Sequence, residues 1–413
     1  MNNQAIKLKR VTNFISRGIS PDYSEADEGI KFINQACIYW DGIKSKAIKY
    51  ARKESGALTS KGVIKQGDIL INSTGTGTLG RASLFDLGEK EYVADSHVTI
   101  VRPDQQKVLS AYLYYLIRSS CFQDHLFTTC VSGSTNQIEL SRERLGESII
   151  NIPDIVTQES IIKYLNRKIK KIDGIIVMKN HLLELAEEKR QNLISRAVTK
   201  GLGSNELKSS NVEWLDKIST NWKVLPIKAF TKKKKKKIGY VNEQLLSVYR
   251  DYGVIVKSSR NDNYNKPSDD LSNYQLVEKN DLVLNKMKTW QGSLAVSSYQ
   301  GLVSPAYIVC TLNESMVIPR FIHYALRAKH NIEFYRSISY GVRPAQWDMH
   351  YQDFRELPIA LPERKEQKEI VDYLDSYNDL VDKTKNKLKQ SIDYLEEYKT
   401  SLISNAVTGK VKV

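Results

Sequence analysis

The sequence predicts an α+β chain with an internal pseudo-two-fold repeat: two mixed globular domains and two long helices that pair antiparallel as a coiled coil. Three observations carry this. The chain repeats itself at an offset of 209 residues, each copy ends in a run of heptads, and each copy contains short β-rich runs broken by glycine and polar turns.

The repeat comes first, because self-similarity decides architecture before any local motif does. "QESIIKYLNRKI" from Gln158 recurs as "QKEIVDYLDSYN" from Gln367, and "LISRAVT" from Leu193 as "LISNAVT" from Leu402. Aligned without a gap, residues 158–201 and 367–410 are identical at 13 of 44 positions. Earlier segments keep the shift: "YLYYLIRS" from Tyr112 matches "FIHYALRA" from Phe321, and Pro153 matches Pro362. "GSTNQ" from Gly133 matches "GVRPAQ" from Gly341, with one inserted residue. The expected boundaries are a first globular domain at 1–153, a helix at 154–209, a second domain at 210–362 and a last helix at 363–413.

Heptads define the helices. With positions 162, 169, 176, 183, 190 and 197 as a, and 165, 172, 179, 186 and 193 as d, nine of eleven residues are apolar; the exceptions are Lys179 and Arg190. Adding 209 leaves eight of eleven apolar, with Asn378, Lys385 and Lys399 as exceptions. Heptads sustained this long predict coiled-coil helices, each ~60 Å long at 1.5 Å per residue. The alternative is that each helix packs only on its own globular domain.

The globular parts mix strands with short helices. "GDILIN" (67–72), "RASLF" (81–85) and "HVTIV" (97–101) read as strands, as do "NDLVLN" (280–285), "SLAVS" (293–297) and "AYIVC" (306–310) in the second copy. Aromatic-rich helices are expected at 111–119 and 319–328.

One loop invites a different reading. In "INSTGTGTLGRASLF", Gly75, Gly77 and Gly80 spell G-x-G-x-x-G, with Asp95 20 residues beyond Gly75. A dinucleotide site needs those glycines between a strand and a helix, whose N-terminus holds the pyrophosphate. Here another β-run, a turn at Gly88 and a further β-run follow, and the second copy's loop, "NKMKTWQGSLAV", lacks the triple glycine and reads as four residues shorter. The glycines instead suit a hairpin loop whose backbone approaches a ligand closely. No P-loop, H-E-x-x-H or G-x-S-x-G motif occurs, and the six histidines (His97, His125, His181, His323, His330, His350) are scattered, so nucleotide-dependent and hydrolytic chemistry are disfavoured.

Composition points outward. The 62 Lys+Arg against 47 Asp+Glu give a formal charge of +15, which favours an anionic partner, nucleic acid above all. Cys37, Cys121, Cys130 and Cys310 form no C-x-x-C pair, so reduced thiols, no metal site and a cytoplasmic location are expected. No apolar signal core or run of ~18 apolar residues is present, so no membrane partner is expected.

At this point the residues resemble a known family. The duplicated "Q…I…YL…LIS.AVT" helix, following a domain that ends in "IINIP" or "PIALP", is similar to the specificity subunit of type I restriction–modification systems. "SVYRDYGVI", "NDLVLNKMKTWQGSLAVSSYQGLVSPAYIV" and "YGVRPAQWDM" resemble one class of its target-recognition domains. The resemblance is looser over the first 60 residues, where "IKLKRVTNF" lacks the longer lead of copy two, "EWLDKISTNWKVLPIKAF". It implies a non-catalytic subunit whose two target-recognition domains each read one half of a split sequence in double-stranded DNA. Its helices would hold the halves apart and dock two methyltransferase subunits, and where present a restriction/translocase subunit. No cofactor is expected on this chain; S-adenosylmethionine and ATP would belong to partner subunits. The alternative is a coiled-coil protein adaptor without DNA recognition, which the basic, amide-rich loops argue against.

Phosphate contacts call for Lys, Arg or backbone N–H, and base readout for Arg, Lys, Asn, Gln, Ser or Thr in a groove. Loops held by a rigid frame are the natural probes. The candidates are Thr74, Thr76, Thr78, Arg81, Ser134, Asn136 and Gln137 in copy one, and Tyr249, Arg250, Lys286, Lys288, Trp290, Gln291, Arg343 and Gln346 in copy two. Tyr39 and Trp40 are read as core rather than contact. The six lysines from Lys232 to Lys237 are read as a solvated loop that could clamp phosphates.

Overall fold

The computed structural model describes residues 4–24, 28–51, 62–88, 91–133, 138–203, 206–234, 243–260, 270–341 and 347–411. They form two compact units: Met1–Lys179 with Lys389–Val413, and Asn180–Leu388. Two long helices, Ile155–Lys200 and Arg364–Val407, are each shared between the units.

In the first unit the strand Gln4–Lys7 pairs antiparallel with Ile149–Ile152, so the domain's beginning is stitched to its end. A four-stranded antiparallel sheet follows in the spatial order Thr12–Arg17, Val98–Pro103, Ile69–Asn72, Ala82–Leu84. Successive side chains of a strand point to opposite faces, and both faces here are buried. Ile69, Ile71 and Val101 enter the core built with the helix Ser110–Arg118, while Leu70, Val98 and Ile100 enter a second core with Phe85 and Ile33. That is why "ILI" and "VTIV" are apolar without alternation.

The second unit repeats the plan. Lys223–Pro226 pairs with Pro358–Leu361, and the sheet runs Thr231–Lys234, Tyr307–Leu312, Leu282–Asn285, Leu294–Val296. Leu282 and Leu284 face one core and Val283 the other. The longer lead of this copy is used structurally: Leu207–Ser209 pairs with Lys217–Ser219, and the buried Trp222 donates its indole N–H to Glu366 Oε2 at 3.0 Å.

Every a and d position of both helices is buried or half-buried, as a coiled-coil seam requires. Within each unit the two helix segments are antiparallel. In the second unit Glu187 meets Lys385 and Arg190 meets Asp382, one index rising as the other falls. The helices do not pack on their own domains alone. Leu402, Ile403, Ala406 and Val407 of the last helix join Leu8, Val11 and Tyr112 in the first unit's core, and Tyr112 Oη donates to Val407 O at 3.3 Å. Ile194, Ala197 and Val198 of the central helix join Trp222 and Phe321 in the second.

Two expectations need correction. The loops are nearly equal in length: Asn72 pairs with Arg81 across the first and Asn285 with Ser293 across the second, so the second is one residue shorter, not four. The lysine run opens as a strand, not a solvated loop. Half-buried Lys234 sets its Nζ between Glu278 Oε2 (2.6 Å) and Asp281 Oδ2 (2.7 Å), while Lys232 and Lys233 are exposed. Of the three lysines among the described residues only Lys234 turns inward, where only a paired ammonium is tolerated. Lys235, Lys236 and Lys237 lie outside the described residues.

Candidate nucleic-acid interface

The glycine loop is a hairpin connection. Strand Ile69–Asn72 pairs directly with Ala82–Leu84, so the crossover helix of a dinucleotide fold has no place. Gly80 holds φ +79°, and a Cβ there would lie 2.9 Å from Gln123 Oε1 and 3.3 Å from Leu126 Cδ2. Gly292 occupies the same place in the second loop, with φ +89° and a would-be Cβ 2.8 Å from Ile332 Cδ1. The left-handed backbone demands glycine at both places, and side chains of a later helix pack close against it. This glycine is the one that both copies keep.

The loop hydroxyls are partly committed. Thr78 Oγ1 donates to Thr74 O (3.2 Å) and Gly75 O (3.3 Å), and Thr74 Oγ1 bonds His97 Nδ1 at 2.9 Å. Thr76 is exposed at the tip. The Arg81 guanidinium lies 4.9 Å from the centroid of the Tyr39 ring, and Lys44 Nζ is 5.3 Å from the same ring. Tyr39 is therefore not core, as the sequence reading had it: it is 39% exposed and holds two cations by cation–π attraction. It sits at the tip of a small hairpin, Ile38–Tyr39 with Gly42–Ile43, whose burial only tertiary packing could decide.

A second loop lies beside the first. Leu140 N donates to Ser73 O at 2.8 Å, and Thr74 bridges Glu139, so the hairpin Val131–Ser132 with Glu139–Leu140 abuts the glycine loop. Ser134, Asn136 and Gln137 fall between those strands but outside the described residues. The second unit does the same. Met349 N donates to Lys286 O at 3.0 Å, Tyr340 bridges Asp348, and the Trp290 and Trp347 rings are 4.9 Å apart. Arg343 and Gln346 lie between those anchors, outside the described residues. In each unit, then, the described flanks of the second candidate stretch, from a distant part of the chain, meet the first loop.

The remaining second-unit candidates are placed as follows. Lys288 is exposed, and Gln291 is half-buried in the short turn Thr289–Gln291. Lys286 Nζ donates to Pro305 O at 2.9 Å and Trp290 Nε1 to Met287 O at 3.0 Å, so the indole offers its ring rather than its N–H. Arg250 is exposed beside Asp251 at 3.0 Å. Tyr249 ends the strand Leu246–Tyr249 with its hydroxyl buried and without a hydrogen-bond partner among the described residues.

Behind the loops stands a positioning arginine that sequence reasoning missed. Arg327 Nη1 donates to Leu294 O (2.9 Å) and Gly292 O (3.3 Å), and Nη2 to Arg250 O, tying loop and hairpin tip to one helix. Arg118, 209 residues earlier, donates to Trp40 O at 2.9 Å. The signal was present, since "YLYYLIRS" and "FIHYALRA" align these arginines, but its purpose required the fold. Next to Arg327, burial pushes His323 down to about 3, with Arg327 and Arg320 adding to the shift, so this imidazole is neutral. Among the described residues no group of His, Cys, Asp or Glu could hold a metal ion.

A family model described as type I restriction modification DNA specificity domain matches residues 6–184 and again 219–394. The chain belongs to that family. It carries two specificity domains, one per repeat, and specificity subunits are the non-catalytic class of these systems. The putative type I restriction enzyme MjaX specificity subunit of Methanocaldococcus jannaschii is 23% identical over 371 residues, spanning 84% of this chain and 79% of that one. Two solved structures share the fold. One, described as the structural basis of complex assembly and conformational transition of the type I R-M system, matches with a TM-score of 0.69 at 13% identity, covering 98% of this chain and 97% of that chain. The HsdS subunit of Thermoanaerobacter tengcongensis matches with a TM-score of 0.55 at 14% identity, covering 99% and 97%. Both specificity domains thus carry the same paired-loop arrangement on different side chains. The first presents threonines and Arg81; the second presents Lys288, Trp290 and Arg250. Among the described residues no helix is long and apolar enough to cross a membrane.

Proposed function

We propose that this specificity subunit reads a bipartite sequence in double-stranded DNA, one half-site per domain, through the paired loops 72–81 with 131–140 and 285–293 with 340–349. The observation that carries the reading is the junction of two separate loops on one rigid sheet in each unit, at Leu140–Ser73 and Met349–Lys286. Loops fixed to a frame present side chains at defined spacing, which groove readout requires. Because the loop residues differ between the domains, the half-sites differ in sequence.

Two methyltransferase subunits dock on the long helices, and a restriction/translocase subunit joins where the host has one. S-adenosylmethionine and ATP bind those partners, and the complex works in the cytoplasm. The purified chain alone transfers no methyl group; methylation, of adenine, appears when the methyltransferase subunits join it. Mapping methylated sites in cells that carry this gene and its methyltransferase partner tests the reading. Two different half-sites separated by a fixed spacer are expected, and an unchanged methylation pattern after deletion of this gene refutes it. Inserting residues between Ile175 and Leu183 is expected to change the spacer and leave both half-sites intact. A protein adaptor without DNA recognition predicts no specific shift of DNA by the assembled complex.

A further inference from the structure

The apolar seam of the helix pair is interrupted by four cations, Lys179, Arg190, Lys385 and Lys399, and the last three are paired across it. In the first unit Lys399, at an a position, has a side chain only 8% exposed; its Nζ lies 2.9 Å from Asp173 Oδ1 on the other helix and 2.7 Å from Glu396 Oε2 on its own. In the second unit Arg190, also at a, places Nη1 2.8 Å from Asp382 Oδ1 across the seam and Nη2 2.5 Å from Glu187 Oε2 on its own helix. These two clusters are one feature repeated: Arg190, Asp382 and Glu187 stand 209 residues from Lys399, Asp173 and Glu396. A third cross-seam pair, Lys385 Nζ to Glu187 Oε2 at 2.7 Å, exists in the second unit alone, Ile176 standing where Lys385 would be repeated.

Leucine, isoleucine, valine and alanine occupy most other seam positions. A slip of one heptad therefore places apolar residue against apolar residue along most of the seam, and burial within the seam itself, apart from the helix ends held in the domain cores, discriminates weakly between the registers. The cations can. A slip of seven residues sets Lys399 opposite Asn166 or Asn180, Lys385 opposite Ile194 or Asn180, and Asp382 opposite Ala197 or Leu183, depending on direction. Arg190 meets Lys389 in one direction and Asp375 in the other. At most one of three cross-seam pairs survives: Lys385 loses its carboxylate, while Lys399 and Arg190 keep only the one on their own helix, and a seam cation that loses a partner is penalised. Single polar residues at a positions are known to set register at a cost in stability.

We propose that Lys399–Asp173, Arg190–Asp382 and Lys385–Glu187 form a register lock, choosing which heptad of one helix faces which of the other and so fixing the length of DNA between the half-sites. The second clause rests on the reading above that the helices set the spacer; the first does not.

The test uses the full chain with exposed Cys121 changed to Ser; the other three cysteines are buried. Ile176→Cys with Leu395→Cys reports the native register, one turn from the Lys399–Asp173 contact, since both residues pack on the first unit's core. Ile176→Cys with Leu402→Cys or Leu388→Cys reports a one-heptad slip. Lys399→Leu, Arg190→Leu and Lys385→Leu together are expected to keep the helices paired but to produce slipped disulfides absent from the parent. Native disulfides alone in that variant overturn the lock. Lys399→Asp by itself faces two carboxylates and is expected to slip, with Asp173→Lys restoring the native disulfide; native disulfides alone in Lys399→Asp also overturn it. Methylated sites mapped with the same variants separate the two clauses. Slipped disulfides with an unchanged spacer leave the lock standing and refute the helices as spacer.

Discussion

Gln158 and Gln367, 209 positions apart, make the same three hydrogen bonds. Gln158 Oε1 accepts from Leu109 N at 2.8 Å, while its Nε2 donates to Lys107 O (3.1 Å) and Pro153 O (2.9 Å). Gln367 accepts from Ile318 N at 2.7 Å and donates to Met316 O (3.1 Å) and Pro362 O (3.0 Å). Both side chains are fully buried. Each joins the first turn of a long helix to the segment before the aromatic helix, and so fixes how the helix leaves its domain. A second, half-buried tie repeats alongside: Tyr115 Oη donates to Asn166 Oδ1 at 2.6 Å, and Tyr324 Oη to Asp375.

Gln367→Ala removes the partner of one N–H and two carbonyls, the Pro362 carbonyl in a buried bond and the Ile318 N–H and Met316 carbonyl in half-buried ones. A buried group left without its partner costs about 1–3 kcal/mol, so the variant is expected to loosen the second unit and spare the first. Hydrogen exchange at the Ile318 and Leu109 amides checks this: Ile318 should exchange faster and Leu109 unchanged. Equal acceleration of both would mean that the glutamine ties are not local.

Lys234→Ala and Lys232→Ala should part company. Removing Lys234 leaves Asp281, 4% exposed, with its charge uncompensated, and breaking such a pair costs about 3–5 kcal/mol. Lys232 is exposed and is expected to leave stability unchanged. Thermal unfolding of both variants decides it; comparable melting would return Lys234 to the role of a surface charge.

Arg343 and Arg81 are expected to read bases in different half-sites. Arginine pairs with guanine O6 and N7, a contact worth ~1–3 kcal/mol of discrimination. Arg343→Ala should relax the second half-site alone and Arg81→Ala the first alone. Binding of the assembled complex across a salt series, with each half-site scrambled in turn, separates this from phosphate contact, which would weaken all sequences and flatten the salt dependence.

His323 makes the second unit acid-sensitive. Its folded value of about 3 lies below its ordinary 6.5, so between those values the unfolded chain binds a proton that the folded one does not. Stability is therefore full above about 6.5 and lost as pH falls toward 3. His323→Phe is expected to flatten that slope when unfolding is followed from pH 7 to 4; an unaltered slope would assign it to other groups.

Much of the architecture was legible in the sequence because it is periodic. The 209-residue shift, the heptads and the β-runs at 69–72, 82–84 and 98–103 are repeating hydrophobic patterns, and burial of those patterns leaves few alternatives. The strand–loop–strand context of the glycine loop likewise argued against a dinucleotide site, and the direct pairing of Ile69–Asn72 with Ala82–Leu84 excludes it. What the sequence could not decide were the contacts between residues far apart in the chain. Tyr39 read as core, yet it stands at the surface with the Arg81 and Lys44 cations against its ring. The six lysines read as one solvated tract, yet Lys234 turns inward to pair with the buried Asp281. The polar seam positions Arg190, Lys385 and Lys399 read as defects in a heptad pattern, and became paired only when the antiparallel register brought Asp382, Glu187 and Asp173 to them. Periodicity specifies which face of an element is buried. Which side chain meets which depends on register and packing, and those are settled only when the whole chain has folded.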